Sequence, residues 1–239
     1  MISIKIGKNS NNELYAIDIC KLPHLFVSYT NDQQLLDFFV TTIQAFSINS
    51  TKIKTTLLLS QKNAEYILPQ LPQSILGYCH IRNQDEQTGI ASKKIFFSSL
   101  IKEMKQRLKL FKNTGVKNLK EYNQKFKNKS LHLMVVLIDD TFDLLRPSKT
   151  NTGLQLIKVL LAGHAAGIHC ITASTISFKN LVRQLVNMDI RPNTAVKKFM
   201  DANQLNTLPP LGTDLIFTAD NLVFIKERDS ADYIRLYAL

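Results

Sequence analysis

Apolar and polar residues alternate over residues 2–6 and again over 13–18, with Asn9 to Asn12 between them. This pattern predicts two short strands joined by an Asn-rich turn. A compact apolar run at His24–Ser28 predicts a third strand. Leu35, Leu36, Phe39, Val40, Ile43 and Phe46 then recur at helical spacing, predicting a helix over 32–47. Thr55–Ser60 reads as a buried strand, and 84–113 as a long amphipathic helix with Phe97, Ile101, Met104, Leu108 and Phe111 on its apolar side. Leu133–Ile138 is an unbroken apolar run ending in Asp139-Asp140, the signature of a parallel strand covered on both faces. A helix over 151–166, a strand over 168–173, a helix near 178–188 and short strands near 193–197, 214–218 and 222–226 complete the pattern, with a strand-like tail from Tyr233 to Leu239.

Strands alternating with helices of ten or more residues imply right-handed crossovers and a mostly parallel sheet with helices on both faces. No internal repeat or low-complexity linker interrupts the pattern. The expectation is one α/β domain over 1–239, with 1–20 as an N-terminal β extension.

Composition adds a charge argument. Thirty Lys and Arg oppose nineteen Asp and Glu, a formal net charge of +11, which suits contact with a polyanion as well as it suits a Lys-rich soluble surface. No run of eighteen apolar residues exists to cross a membrane, and Met1–Ile6 reads as a strand rather than a signal peptide. Cys20, Cys79 and Cys170 are widely spaced and match no metal-ligand pattern. They are expected to be reduced and buried, which places the chain in the cytoplasm.

Four segments carry more than periodicity. They are Leu22-Pro23-His24-Leu25-Phe26-Val27-Ser28-Tyr29; Glu103-Met104 through Leu110 with Gly115-Val116-Lys117-Asn118-Leu119-Lys120-Glu121-Tyr122-Asn123; Val135-Val136-Leu137-Ile138-Asp139-Asp140-Thr141-Phe142-Asp143-Leu144-Leu145; and His164-Ala165-Ala166-Gly167-Ile168-His169. Together, and in this order, they resemble the RecA-like, P-loop-type motor domain of the FtsK/SpoIIIE DNA translocases. The resemblance implies that fold, a nucleotide site after the strand at 24–28, and a Walker B strand at 133–138. The family's membrane segment and winged-helix DNA reader find no counterpart in this sequence.

The departures from the family concentrate where phosphate would bind. A P-loop needs glycines so that backbone N–H groups can close on phosphates, a Lys for the β/γ-phosphates and a Ser or Thr for Mg²⁺. Here the stretch reads Tyr29-Thr30-Asn31-Asp32-Gln33-Gln34-Leu35-Leu36, without glycine. Leu35 and Leu36 stand where the family has Lys and Ser, and Asp32 puts a negative charge where an anion would sit, where it is expected to cap the helix. Asp140 replaces the water-orienting Glu and is one methylene shorter. Ser60-Gln61-Lys62 replaces Asp-Pro-Lys, and Ala173-Ser174-Thr175 replaces the sensor-like Ala-Thr-Gln. Phosphoryl transfer depends on positioning and charge stabilisation, so no catalytic residue, no hydrolysis and no bound ATP or Mg²⁺ are expected.

Asp139, Asp140 and Asp143 read either as a remnant Mg²⁺ site or as a turn cap with solvated neighbours; without a nucleotide to share the metal, the second reading is preferred. His24, His164 and His169 read as packing residues rather than zinc ligands. Between Lys93 and Lys129 lie twelve basic and two acidic residues. Lys102, Lys105, Lys109 and Lys112 share one helix face that suits either phosphate contact or plain solvation.

Three functions follow as expectations. The first is a pseudo-ATPase of the translocase lineage associated with double-stranded DNA. The second is a scaffold that self-associates or docks on an active FtsK-like or secretion-type ATPase. The third is a module that holds ATP weakly.

Overall fold

The computed structural model describes residues 3–21, 24–48, 52–72, 79–82, 86–141, 144, 152–175, 213–218, 222–226 and 234–237. Its strands are β1 (Ser3–Lys8), β2 (Leu14–Asp18), β3 (Leu25–Ser28), β4 (Ile53–Ser60), β5 (Cys79–Arg82), β6 (Leu133–Ile138), β7 (Ile168–Ser174), β8 (Thr213–Phe217), β9 (Leu222–Lys226) and β10 (Ile234–Tyr237). The helices are α1 (Asp32–Ser47), α2 (Gln61–Ile67), α3 (Glu86–Thr114), α4 (Leu119–Lys125) and α5 (Thr152–Ala162).

All ten strands among the described residues join one sheet in the order β2-β1-β10-β9-β8-β3-β7-β6-β4-β5. From β8 to β5 every neighbouring pair is parallel. From β8 outward through β9, β10, β1 and β2 every pair is antiparallel. The expected N-terminal hairpin therefore forms, and it extends the sheet by pairing with β10 rather than with the parallel core.

Burial of successive strand residues on opposite sides fixes the two helical layers. Leu57, Leu59, Val135 and Leu137 join one core with Leu35, Phe39 and Ile43 of α1 and Leu119 and Tyr122 of α4. Leu58, Val136 and Ile138 join a second core with Phe97, Leu100 and Met104 of α3 and Leu156 and Leu160 of α5. The buried face of α3 is wider than the expected stripe: Phe96 and Leu100 are buried, and so is Arg107.

Arg107 is tolerated inside because three hydrogen bonds answer its guanidinium. Nε donates to Glu103 at 2.8 Å, and one terminal nitrogen donates to the carbonyls of His132 at 2.8 Å and Ala166 at 3.2 Å. The side chain thus ties α3 to the entrance of β6 and to the turn before β7. That turn needs Gly167, which sits at φ +71° with Leu119 so close that a Cβ would lie 2.4 Å from its Cδ2.

One expectation changes. Cys20 is exposed, because it follows β2 on the surface, whereas Cys170 is buried and its thiol is pushed up to about 12 by burial. The expected helix at 178–188 and strand at 193–197 lie outside the described residues. Among the described residues, no helix is long and apolar enough to cross a membrane.

Candidate nucleotide site at the carboxyl ends of the parallel strands

Ligands of open parallel sheets bind beyond the carboxyl ends of the strands. At that edge β3, β4, β6 and β7 deliver Tyr29, Ser60, Asp139 and Ser174. The backbone N–H of buried Tyr29 donates to the carbonyl of Ser174 at 3.2 Å, so the first residue after β3 is drawn against β7.

Only residues 29–31 separate β3 from α1. The side chain of Asn31 accepts from the N–H of Gln33 at 2.9 Å and caps the helix. The cap is therefore Asn31 and not Asp32. Asp32 occupies the first turn, where its charge meets the orphan N–H groups and the positive end of the helix dipole. Its carboxylate also pairs with Lys62 at 2.9 Å, across the gap to α2. Beside this pair, Gln33 Nε2 donates to Asp37 at 2.8 Å and to the Tyr66 hydroxyl at 2.6 Å, and the hydroxyl donates to Asp37 at 3.1 Å. Thr30 is exposed. Leu35 and Leu36 point inward, at 1% and 7% exposure, as members of the α1 core.

Asp139 is fully buried. Its Oδ2 accepts from the N–H of Ser60 at 2.7 Å, from the Ser60 hydroxyl at 2.8 Å and from Asn63 Nδ2 at 2.8 Å. The expected role for Asp139 was a cap on the turn after β6. Its Oδ2 contacts run sideways to the start of α2, where Ser60 is the cap and its oxygen accepts from the N–H of Asn63. Asp140 is half-buried, Thr141 is buried, and Asp143 lies outside the described residues. No group of three His, Cys, Asp or Glu fit to hold a metal exists among the described residues.

The histidines do converge, at the opposite end of the strands. His24 and His169 rings lie 6.4 Å apart, and His169 and His164 rings 5.1 Å apart. Buried His24 accepts at Nδ1 from the N–H of Cys170 at 2.9 Å and donates from Nε2 to the carbonyl of Leu160 at 2.8 Å. Both nitrogens are spent on backbone, and burial followed by the neighbouring His169 holds its pKa at about 3. It is a neutral packing residue, as expected.

Lys102, Lys105, Lys109 and Lys112 are all exposed on the outer side of α3. The residues that sequence reasoning missed at the strand ends are Asn63 and the Lys62–Asp32 pair. The available signal was the Ser60-to-Asn63 spacing of a helix start.

Sheet order and helical layers define the class, a RecA-like α/β fold. The chain overlays the cytoplasmic domain of the Thermomonospora curvata type VII secretion ATPase EccC with a TM-score of 0.67 at 15% identity, covering 99% of this chain and 28% of the other. In sequence it is similar to the FtsK/SpoIIIE translocases. It is 21% identical over 238 residues to the DNA translocase FtsK of Chlorobaculum tepidum, covering 93% of this chain and 28% of the relative. It is likewise 21% identical to SpoIIIE of Bacillus subtilis over 241 residues, covering 93% and 29%. The chain thus spans between a quarter and a third of the length of these relatives. No protein-family profile matches it.

Proposed function

We propose that this chain is a non-hydrolysing member of the translocase lineage, a pseudo-ATPase that keeps the motor fold and associates with DNA or with a translocase assembly. The observation that carries the reading is the inward burial of Leu35 and Leu36 behind a connection of residues 29–31. A phosphate cradle needs a glycine-lined loop of several residues and then an ammonium and a hydroxyl directed at the ligand. Here α1 begins at Asp32, winding into helix the stretch that would form the cradle. The positive end of α1, a natural seat for an anion, is answered by the chain's own carboxylate, and that carboxylate is held by Lys62. A triphosphate approaching this end meets a like charge.

The Walker B position supports the same reading. In a working site its carboxylate serves a metal; in this chain Oδ2 of Asp139 already takes three donors from the β4–α2 junction. Hydrolysis is tested by phosphate release from Mg-ATP with and without duplex DNA. Turnover absent in both conditions is expected, and DNA-stimulated release lost on Asp139→Asn would overturn the reading. A scaffold that docks on an active ATPase without touching DNA is the alternative, and salt-dependent DNA binding separates the two.

A further inference from the structure

We infer that duplex nucleic acid is held by its phosphates at the end of the molecule opposite the closed nucleotide site, on the lysine-rich turn formed by the C-terminal part of α3, α4 and the 3-10 turn at 127–129. The inference rests on the DNA-association part of the proposed function and assigns its surface.

Position comes from topology. α4 and the 3-10 turn Lys127–Lys129 lead directly into the amino end of β6, and Leu119 of α4 lies against Gly167, just before the amino end of β7. Because β6 and β7 are parallel to β3 and β4, this is the pole away from Tyr29, Ser60 and Asp139. A six-residue strand separates the two by roughly 20 Å at about 3.3 Å per residue.

Charge is concentrated there. Residues 104–138 contain nine Lys and Arg and one acidic residue, Glu121. That carboxylate is turned back onto its own helix start, accepting from the N–H of Lys117 at 2.8 Å and from Asn118 Nδ2 at 3.5 Å. Lys109, Lys112, Lys117, Lys120, Lys127 and Lys129 are exposed, and among the described residues none of their ammonium groups has an ion-pair partner. The turn is firmly built: Asn118 caps α4, and Asn123 exchanges two 2.8 Å hydrogen bonds with the backbone of Leu131.

The type of partner follows from what the patch lacks. Among the described residues the exposed large apolar side chains are Leu14, Ile48, Tyr66, Ile95 and Ile234, none of them in this segment. Protein interfaces centre on such anchors. The aromatic rings here are committed inward as well: Tyr122 stacks between Phe111 and Phe126, at 5.4 and 4.9 Å, and Lys125 covers Phe126. Single strands need free rings for stacking. Flexible, compact ammonium groups without either feature suit a regularly spaced phosphate backbone.

The test is fluorescence anisotropy of a labelled 30-base-pair duplex, titrated with the full chain at several salt concentrations with and without Mg-ATP. Two variants with equal loss of charge are compared: Lys117→Gln with Lys120→Gln and Lys127→Gln in the turn, and Lys5→Gln with Lys8→Gln and Lys21→Gln on the distant hairpin. Far-ultraviolet circular dichroism melts establish that both fold. The turn variant is expected to bind about tenfold more weakly at low salt or worse, and its log–log salt slope is expected to shrink by about 2 to 3, at about 0.9 per phosphate contact. The hairpin variant should keep the parent slope. Equal loss in both variants, or loss in the hairpin variant alone, overturns the assigned surface while leaving DNA association intact. No binding by the parent protein at low salt overturns the surface together with the DNA part of the proposed function, and leaves the pseudo-ATPase part standing. An affinity that changes with Mg-ATP contradicts the closed nucleotide site but not the surface.

Discussion

Ser60 gives both its backbone N–H and its hydroxyl to one oxygen of Asp139, at 2.7 and 2.8 Å. The Asn63 amide adds a third donor at 2.8 Å. The carboxylate at the end of β6 thereby fastens the β4–α2 junction.

Asp139→Ala should therefore act on stability. It leaves buried donors unanswered at Ser60 and Asn63, and each such loss around a charged acceptor costs about 1–3 kcal/mol. A total near 3 kcal/mol is expected from urea denaturation, with Asp139→Asn milder because it keeps one acceptor oxygen. An Ala variant as stable as the parent would mean that this network contributes nothing.

Gly167→Ala tests the turn before β7. The substitution forces a side chain into φ +71° and into Leu119. Left-handed backbone costs about 1–2 kcal/mol and overpacking about 1–3 kcal/mol. A loss of about 2–4 kcal/mol in thermal or urea unfolding is expected, with Leu119→Ala in the same chain returning less than the full amount because the backbone strain remains.

Arg107→Lys is expected to destabilise the fold by about 2 kcal/mol despite keeping the charge. A lysine cannot serve Glu103, His132 and Ala166 from one planar fork. A Lys variant as stable as the parent would show that charge, rather than the two carbonyl contacts, is what matters.

Acid should weaken the protein through His24. Its ordinary value of 6.5 applies when unfolded, and burial lowers it to about 3 when folded. A lowered folded value means stability that is fully present above pH 6.5 and is lost as pH falls towards 3. The slope approaches about 1.4 kcal/mol per pH unit, or about 2 kcal/mol between pH 6.5 and 5. Unfolding free energies measured across that range should fall, and His24→Gln should flatten part of the fall. An unchanged profile in the variant would remove His24 as the cause.

Much of this was legible in the sequence because periodicity reports burial directly. α1 falls on the expected 32–47, and β6 on the expected 133–138, since both are long or continuous apolar patterns. The motif residues Leu35 and Leu36 lie in the first turns of α1, and Asp139 directly follows β6. What escaped were short elements and partnerships. α2 and α4 each have seven residues, too few for a helical period to stand out, and β5 has four. The burial of Arg107 escaped, because nothing in a single sequence says that two carbonyls 25 and 59 residues away will receive its guanidinium. Asp32 was assigned the cap because its charge suits a helix start. Asn31 takes that role because its backbone is still extended, at φ −126°, ψ 120°, as a capping residue requires.

Nucleotide binding is the most direct measure of the central claim that the phosphate site is closed. The melting temperature of the protein should be followed while Mg-ATP is raised to several millimolar. A ligand that binds only the folded state stabilises it by RT ln(1 + [L]/Kd), about 2.7 kcal/mol at a hundredfold excess over Kd. No shift at any concentration is the predicted result. A saturable rise in melting temperature, abolished by Asp139→Asn, would contradict the account.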